Sequence, residues 1–290
     1  MSKGGWWIVL RTCCISRISR RQALLLSVWA ALGLHMNTRQ SLTATIVYDN
    51  RPYDPQLTNA WGYSCLIEAG DWSLLFDTGG DAQTLRTNLT RLGIDPRSIG
   101  TVMLSHFHTD HTGGLQAVLS DNGHRPTLVV PQSFPYEFKQ QAGEHARVVE
   151  VSGAIDVGEH ALSTGELGKS IIEQSLLLKT SDGLVVITGC AHPGIVNIVA
   201  QARQQGEIDL VMGGFHLKDA GAAEIDTVIE QLKQLGVKRV APSHCTGDLA
   251  IRMFAAAFGA GFIAVGAGAR IGMWLPGGWQ PRLTSMFDCE

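Results

Sequence analysis

From about residue 43 the chain alternates short apolar runs with segments whose apolar residues recur every three or four positions. Runs rich in Val, Ile, Leu and aromatic residues, bounded by Gly, Pro, Asn, Asp or Ser, read as strands. They fall at 43–48, 63–68, 73–76, 101–105, 127–130, 147–151, 175–180, 184–188, 210–213 and 239–243. Helical spacing occurs at 81–92, where Leu85, Leu89 and Leu92 share a face, and at 222–235 through Ile225, Val228, Ile229 and Leu232. Segments 194–205 and 248–258 look similar. Ser181-Asp182-Gly183 separates two apolar runs and reads as a hairpin turn, because Asp-Gly supplies the positive φ such turns need. The strands are apolar on both faces, so the pattern predicts a layered α/β body. No long linker, repeat or low-complexity stretch interrupts it, which implies one domain over residues 41–290.

The first 40 residues differ in kind. They hold six basic residues and no acidic one, whereas the remainder carries 17 basic and 26 acidic residues. An acidic body argues against nucleic acid as the main partner, since phosphate backbones are bound by clustered Lys and Arg. Within residues 1–40, Ser19-Arg20-Arg21 precedes an apolar run from Ala23 to Leu34. Twelve helical residues span roughly 18 Å, short of a bilayer core of roughly 30 Å. No stable membrane span is expected. The run reads as the apolar part of an export signal, and the paired arginines resemble a twin-arginine signal. A periplasmic or otherwise exported location follows as the expectation. A misassigned start, an uncleaved anchor and a cytoplasmic location are the alternatives. At 45% hydrophobic and 17% charged, the rest of the chain can bury a sizeable core. The six cysteines do not read as a disulfide framework. Cys13 and Cys14 precede the apolar run and Cys289 ends the chain, while Cys65, Cys190 and Cys245 read as small buried thiols.

Chemistry concentrates in residues 105–114, Ser-His-Phe-His-Thr-Asp-His-Thr-Gly-Gly. His106, His108, Asp110 and His111 are four ligand-type side chains within six positions. Imidazole and carboxylate are donors that Zn²⁺ accepts, and no cysteine pair suggests a closed structural site here. In an extended segment His106 and His108 point the same way and could grip one ion. Asp110 and His111 diverge, which suits a second ion beside it; paired ions are a recurrent hydrolytic device. Further apolar runs end in small-residue turns carrying polar groups: Asp77 before Thr78-Gly79-Gly80, His192 after Gly189-Cys190-Ala191, His216 after Gly213-Gly214-Phe215, and His244 before Cys245-Thr246-Gly247. Ligands in α/β layers gather at such strand ends. A carboxylate such as Asp77 can orient a ligand histidine through its second ring nitrogen. Asn59-Ala60-Trp61-Gly62 precedes a strand and could line a mouth.

The order and spacing of Asp77, His106-x-His108-x-Asp110-His111, His192 and His244 resemble the metallo-β-lactamase superfamily signature across residues 43–290. That resemblance implies a four-layer αββα sandwich with a dinuclear site on one edge. It assigns His106, His108 and His192 to one metal and Asp110, His111 and His244 to the other, with Asp77 as the buried orienting acid. Tyr48-Asp49-Asn50, Thr-Gly-Cys-Ala-His-Pro-Gly-Ile, Gly-Gly-Phe-His-Leu and Ser-His-Cys-Thr-Gly are similar to the dihydropterin–ribofuranosylaminobenzene 5'-phosphate synthase-like branch, many of whose members are known only as metal-dependent hydrolases. The chain departs from the wider signature at Gly213–Leu217, where His216 stands in place of a bridging aspartate.

The expected activity is hydrolysis of an ester, lactone or phosphoester-type small molecule by metal-activated water. Zn²⁺ is the expected ion, one or two per chain, with Mn²⁺ or Fe²⁺ as alternatives. Asp110 is the candidate proton acceptor and His216 the candidate acid or oxyanion donor. Asn59, Trp61, Cys190 and Cys245 are candidate substrate contacts. One rival is a synthase-type transferase of the pterin kind; the other is a non-catalytic metal-binding module.

Overall fold

The structure is a computed structural model, and it describes residues 40–120 and 125–277. Two sheets form the body. The first contains β1 (Ser41–Asp49), β2 (Tyr63–Ala69), β3 (Trp72–Phe76), β4 (Thr101–Met103), β5 (Thr127–Pro131), β6 (Arg147–Val151) and β13 (Arg270–Trp274), in the order β13-β1-β2-β3-β4-β5-β6. The second contains β7 (Ile155–Gly158), β8 (Ala161–Ser163), β9 (Leu176–Thr180), β10 (Gly183–Thr188), β11 (Ile208–Gly214) and β12 (Arg239–Ser243), in the order β12-β11-β10-β9-β8-β7. Pairing is parallel from β3 through β6 and from β10 through β12.

Side chains alternate across each strand, and this splits each apolar run between two layers. Leu74 and Phe76 of β3, Leu176 and Leu178 of β9, and Val185 and Ile187 of β10 meet in the core between the sheets. Their neighbours face outward. Leu66, Leu75, Val102 and Leu128 pack with Leu85 and Leu89 of α1 (Ala82–Arg91). The same outer layer takes residues from α2 (Thr109–Thr112), α3 (Gln116–Leu119) and α4 (Tyr136–Gly143) or the turns beside them. On the other side Val186, Val211 and Val240 pack with α5 (Ile195–Arg203), α6 (Ala222–Gln234) and α7 (Asp248–Phe258). The result is the helix–sheet–sheet–helix order expected. Each fully buried Leu, Ile or Phe contributes about 1.5–3 kcal/mol, so the continuous apolar runs are the main driving force for this stacking.

The hairpin turn at Ser181-Asp182-Gly183 joins β9 to β10, with Gly183 at φ +133°. α1 begins at Asp81, whose carboxylate accepts from Thr84 N at 2.7 Å. The structure differs from the expected pattern in two ways. β4 stops at Met103 instead of residue 105, and 105–107 form a turn in which His108 N donates to His106 O at 3.1 Å. The histidines are therefore brought together by a turn, not by an extended strand. β7, β8, β13 and helices α2 to α4 had no counterpart in the sequence pattern.

The export-signal features at residues 1–39 lie outside the described residues, as do Cys13, Cys14 and Cys289. Among the described residues no helix is long and apolar enough to cross a membrane. Cys65, Cys190 and Cys245 are buried free thiols.

Candidate metal centre

The polar groups singled out above meet where the parallel strands of both sheets end. Asp77 follows β3, His106 to His111 follow β4, Cys190 and His192 follow β10, His216 follows β11, and His244 follows β12. The turns are tight. Among the described residues, the non-glycine residues at positive φ are Asp77 (58°), Ala191 (65°), His216 (54°) and His244 (47°). Backbone in this region is uncommon for residues with a Cβ and clusters at functional sites; here all four positions fall on the strand ends named above. Gly189 is required for a different reason. A Cβ there would lie 2.2 Å from Ser105 Oγ and 2.8 Å from Asp77 Oδ2, so only glycine lets the end of β10 approach the end of β3.

Two groups of donors result, linked by a third. His106, His108 and His192 place ring nitrogens within 4.8 Å of one another. His106 Nε2 faces His108 Nδ1 at 3.0 Å. Asp110, His111, Cys190 and His244 form a second group within the same limit. Asp110 Oδ2 lies 3.4 Å from His244 Nε2 and 3.7 Å from His111 Nε2. Cys190 also groups with His192 and His216, and so touches both sets. The structure thus brings together all six residues whose pattern suggested ligation. His216 stands at the rim with its ring 4.4 Å from that of His192.

The donors are held by a network of buried acceptors. Asp77 is fully buried; its Oδ1 accepts from Ser105 N at 2.7 Å, and its Oδ2 accepts from Ser105 Oγ at 2.7 Å and from His111 Nδ1 at 2.7 Å. A carboxylate only accepts, so Nδ1 of His111 carries a proton and Nε2 turns inward. The Ser105 hydroxyl, its proton given to Asp77, accepts from His106 Nδ1 at 2.9 Å, which leaves His106 Nε2 for a ligand. Asn50 holds His244: its Oδ1 accepts from His244 Nδ1 at 2.9 Å while its Nδ2 donates to His244 O at 3.3 Å. Glu173, also fully buried, accepts from the backbone N–H groups of Cys190, Ala191 and His192 at 3.0, 2.9 and 2.8 Å. Sequence reasoning missed Glu173. It missed the role of Asn50 too, although Tyr48-Asp49-Asn50 stood out as a motif.

Electrostatics sort these groups. Burial, reinforced by the neighbouring imidazoles of His111, His192 and His108, holds His106 far below the usual histidine range. Burial followed by His216 and His108 brings His192 down to about 4. Both rings are therefore neutral near pH 7, as ligation demands. Burial would lower His111 as well, but the Asp77 carboxylate, helped by Asp110 and Glu173, pushes it up to about 9. Burial favours a protonated Asp110, yet His244 and His111 overcome it and hold the carboxyl well below its usual range. Desolvation lifts Glu173 to about 7 against the backbone donors that stabilise its charge. The field at the second group thus favours positive charge.

The donor set fits a divalent metal ion. It consists of imidazole, carboxylate and thiol groups, all accepted ligand types. Nε2 of His192 and Nε2 of His244 are buried without a hydrogen-bond partner, and an orphaned buried donor or acceptor of this kind calls for an explanation that an ion provides.

Around the mouth, Trp61 is 48% exposed and its ring lies 4.8 Å from that of His244. Lys218 Nζ sits 5.2 Å above the Trp61 ring. Asn59 donates to Arg51 O at 3.0 Å and braces the loop leading to Trp61. Cys190 and Cys245 are both nearly sealed, at 4% and 2% exposure, so neither forms part of the outer wall. A 510 Å³ cavity opens beside His192, lined by Lys169, Ser170, Asn197 and Gln201 among others.

Known proteins resemble this chain in sequence and in fold. The profile of the family described as the metallo-beta-lactamase superfamily matches residues 62–244. The 7,8-dihydropterin-6-methyl-4-(beta-D-ribofuranosyl)-aminobenzene-5'-phosphate synthase of Methanocaldococcus jannaschii is 30% identical over 275 residues, covering 77% of this chain and 94% of that protein. The crystal structure of a metal-dependent hydrolase of the beta-lactamase superfamily aligns with a TM-score of 0.66 at 25% identity, over 79% of this chain and 98% of that one. A diphosphatase from the PhnP family shares the fold, with a TM-score of 0.58 at 16% identity over 81% and 98% of the two chains. Matched over more than half its length, this chain belongs to the metallo-β-lactamase superfamily.

Proposed function

We propose that the protein is a metal-dependent hydrolase, with zinc as the ion, acting on a small ester, lactone or phosphoester. The observation that carries this reading is the convergence of two donor groups on buried, unpartnered ring nitrogens of His192 and His244. A divalent ion held there supplies a Lewis acid for the electrophilic oxygen and lowers the pKa of its water towards ~7. His106, His108 and His192 are assigned to one ion, and Asp110, His111 and His244 to the other. Asp110, 21% exposed at its side chain, stays ionised and is the candidate proton acceptor by its place between His111 and His244. His216, exposed at the rim and raised by the Cys245 thiol beside it, donates a proton to the departing group. Trp61 offers a flat apolar wall and Lys218 a cation above it, an arrangement suited to an anionic substrate.

A second reading is favoured by the 30% identity to the synthase over nearly its whole length. In it the same residues position a second organic substrate in place of water, and the reaction is a group transfer. Activity profiling of zinc- and manganese-loaded protein against esters, lactones and phosphoesters, with His108→Ala as control, tests the proposal. Activity in the wild type and its loss in the variant are expected; equal activity in both overturns it. Running the reaction in oxygen-isotope-labelled water separates the readings, because hydrolysis places the label in product and transfer does not.

A further inference from the structure

The two sheets part at the end opposite the metal centre. There the β2–β3 turn of the first sheet, Gly70-Asp71, and the β7–β8 turn of the second, Glu159-His160, border one cavity of 540 Å³. Its floor is apolar and belongs to the core between the sheets: Leu42, Ala69 and Leu275, with Trp72 packed against them. Trp72 begins β3 and Asp77 follows its end, so roughly 16 Å of extended chain separates the cavity from the metal centre.

The walls are held in place. A Cβ on Gly158 would lie 2.5 Å from Cζ2 of Trp72, so glycine there lets the end of β7 close on the indole. Leu275 N donates to Gln40 O at 2.9 Å, and the Gln40 side chain lies over Gly70, where a Cβ would come within 2.8 Å of its Nε2.

Two polar atoms of the lining residues are unsatisfied. Gln40 Oε1 and His160 Nε2 are buried without a hydrogen-bond partner, and such atoms call for one. Water would satisfy them but would leave the apolar floor uncovered; a ligand with an apolar body and a polar end answers both needs. The rim sets the sign of that end. Asp71 and Glu159 are exposed carboxylates, Gln40 Oε1 is a third acceptor, and among the described residues no lysine or arginine lines the cavity. A surplus of acceptors and negative charge selects a cationic donor, and an indole face also attracts cations.

We propose that this cavity is a second ligand site, separate from the metal centre, that takes a small aromatic amine. The ring lies against Trp72, Leu42 and Leu275. The ammonium sits at the rim with Asp71 and Glu159 and gives an N–H to Gln40 Oε1. The volume falls within the roughly 300–1,000 Å³ usual for small-molecule sites. The inference stands whether the metal centre hydrolyses or transfers.

The test is calorimetric titration of the full chain with tryptamine, with indole-3-propionate as an anion of similar shape. Tryptamine should bind with a Kd of about 1 mM or tighter, and the anion about tenfold more weakly. The double variant Asp71→Asn, Glu159→Gln changes only exposed side chains and should weaken tryptamine about fivefold or more. Ala69→Phe fills the floor and should abolish binding, whereas His108→Ala at the metal centre should leave it unchanged. No binding of tryptamine overturns the proposal, as does equal binding of the anion or undiminished affinity in the double variant. Loss of binding in His108→Ala also overturns it, because the amine then sits at the metal centre. Should Ala69→Phe fail to fold, the double variant and His108→Ala decide.

Discussion

The two donor groups are close neighbours but are held by different means. His111 and His244 each meet a side-chain acceptor directly through Nδ1, Asp77 in one case and Asn50 in the other. Their inward nitrogens are aimed before any ion arrives. In the other group, His106 reaches Asp77 only through the Ser105 hydroxyl, and the rings of His106, His108 and His192 rest on one another at centroid distances of 4.6 to 4.9 Å. The position of His192 depends on its backbone, which Glu173 holds. One group is braced ring by ring; the other is braced through a relay and a loop. A site of this kind can keep one position preorganised while the second adjusts.

The strongest way to break the contrast is Asp77→Ala. It leaves His111 and Ser105 without their shared acceptor in a fully buried place, and removing one partner of such a pair costs about 3–5 kcal/mol. Urea unfolding should show that loss; an unchanged midpoint would remove Asp77 as the anchor. Glu173→Gln comes next. An amide keeps the shape but gives up the charge and one acceptor oxygen, so the loop carrying His192 loosens. Zinc affinity at the His106–His108–His192 position should fall about 10–100-fold, measured by calorimetric titration, with a smaller change at the other position. The mildest change is Asn50→Ala, which should weaken the His244 position about tenfold and leave the first untouched. Equal loss at both positions in this variant would end the distinction between them.

How much of this was visible in the residue pattern depended on where each signal was stored. The core strands were legible because continuous apolar runs have few other uses, and α1, α5, α6 and α7 because they are long enough to show a helical period. α2 and α3 have four residues each, too few for any period, and α4 turns only Phe138 and Ala142 towards the core. β7 reads Ile-Asp-Val-Gly, a composition closer to a turn than to a strand. The ligand-type residues were legible because histidines rarely crowd. Glu173 was not: it works on backbone N–H groups 17 to 19 positions away, and a main-chain partner leaves no mark in the sequence. Cys190 was read as a small buried thiol and a candidate substrate contact, since nothing in the sequence tells an inert thiol from one facing His111.

The location of the donors has a mechanical consequence. Both groups draw from both sheets: His106, His108, Asp110 and His111 follow a strand of the first, and Cys190, His192 and His244 follow strands of the second. His111 and Cys190, 3.2 Å apart, are 79 positions apart in the chain. An ion seated there would act as a rivet through two plates, closing a loop of domain size. Loading and folding would then be linked equilibria, and chelation would loosen the seam between the sheets as well as silence the chemistry.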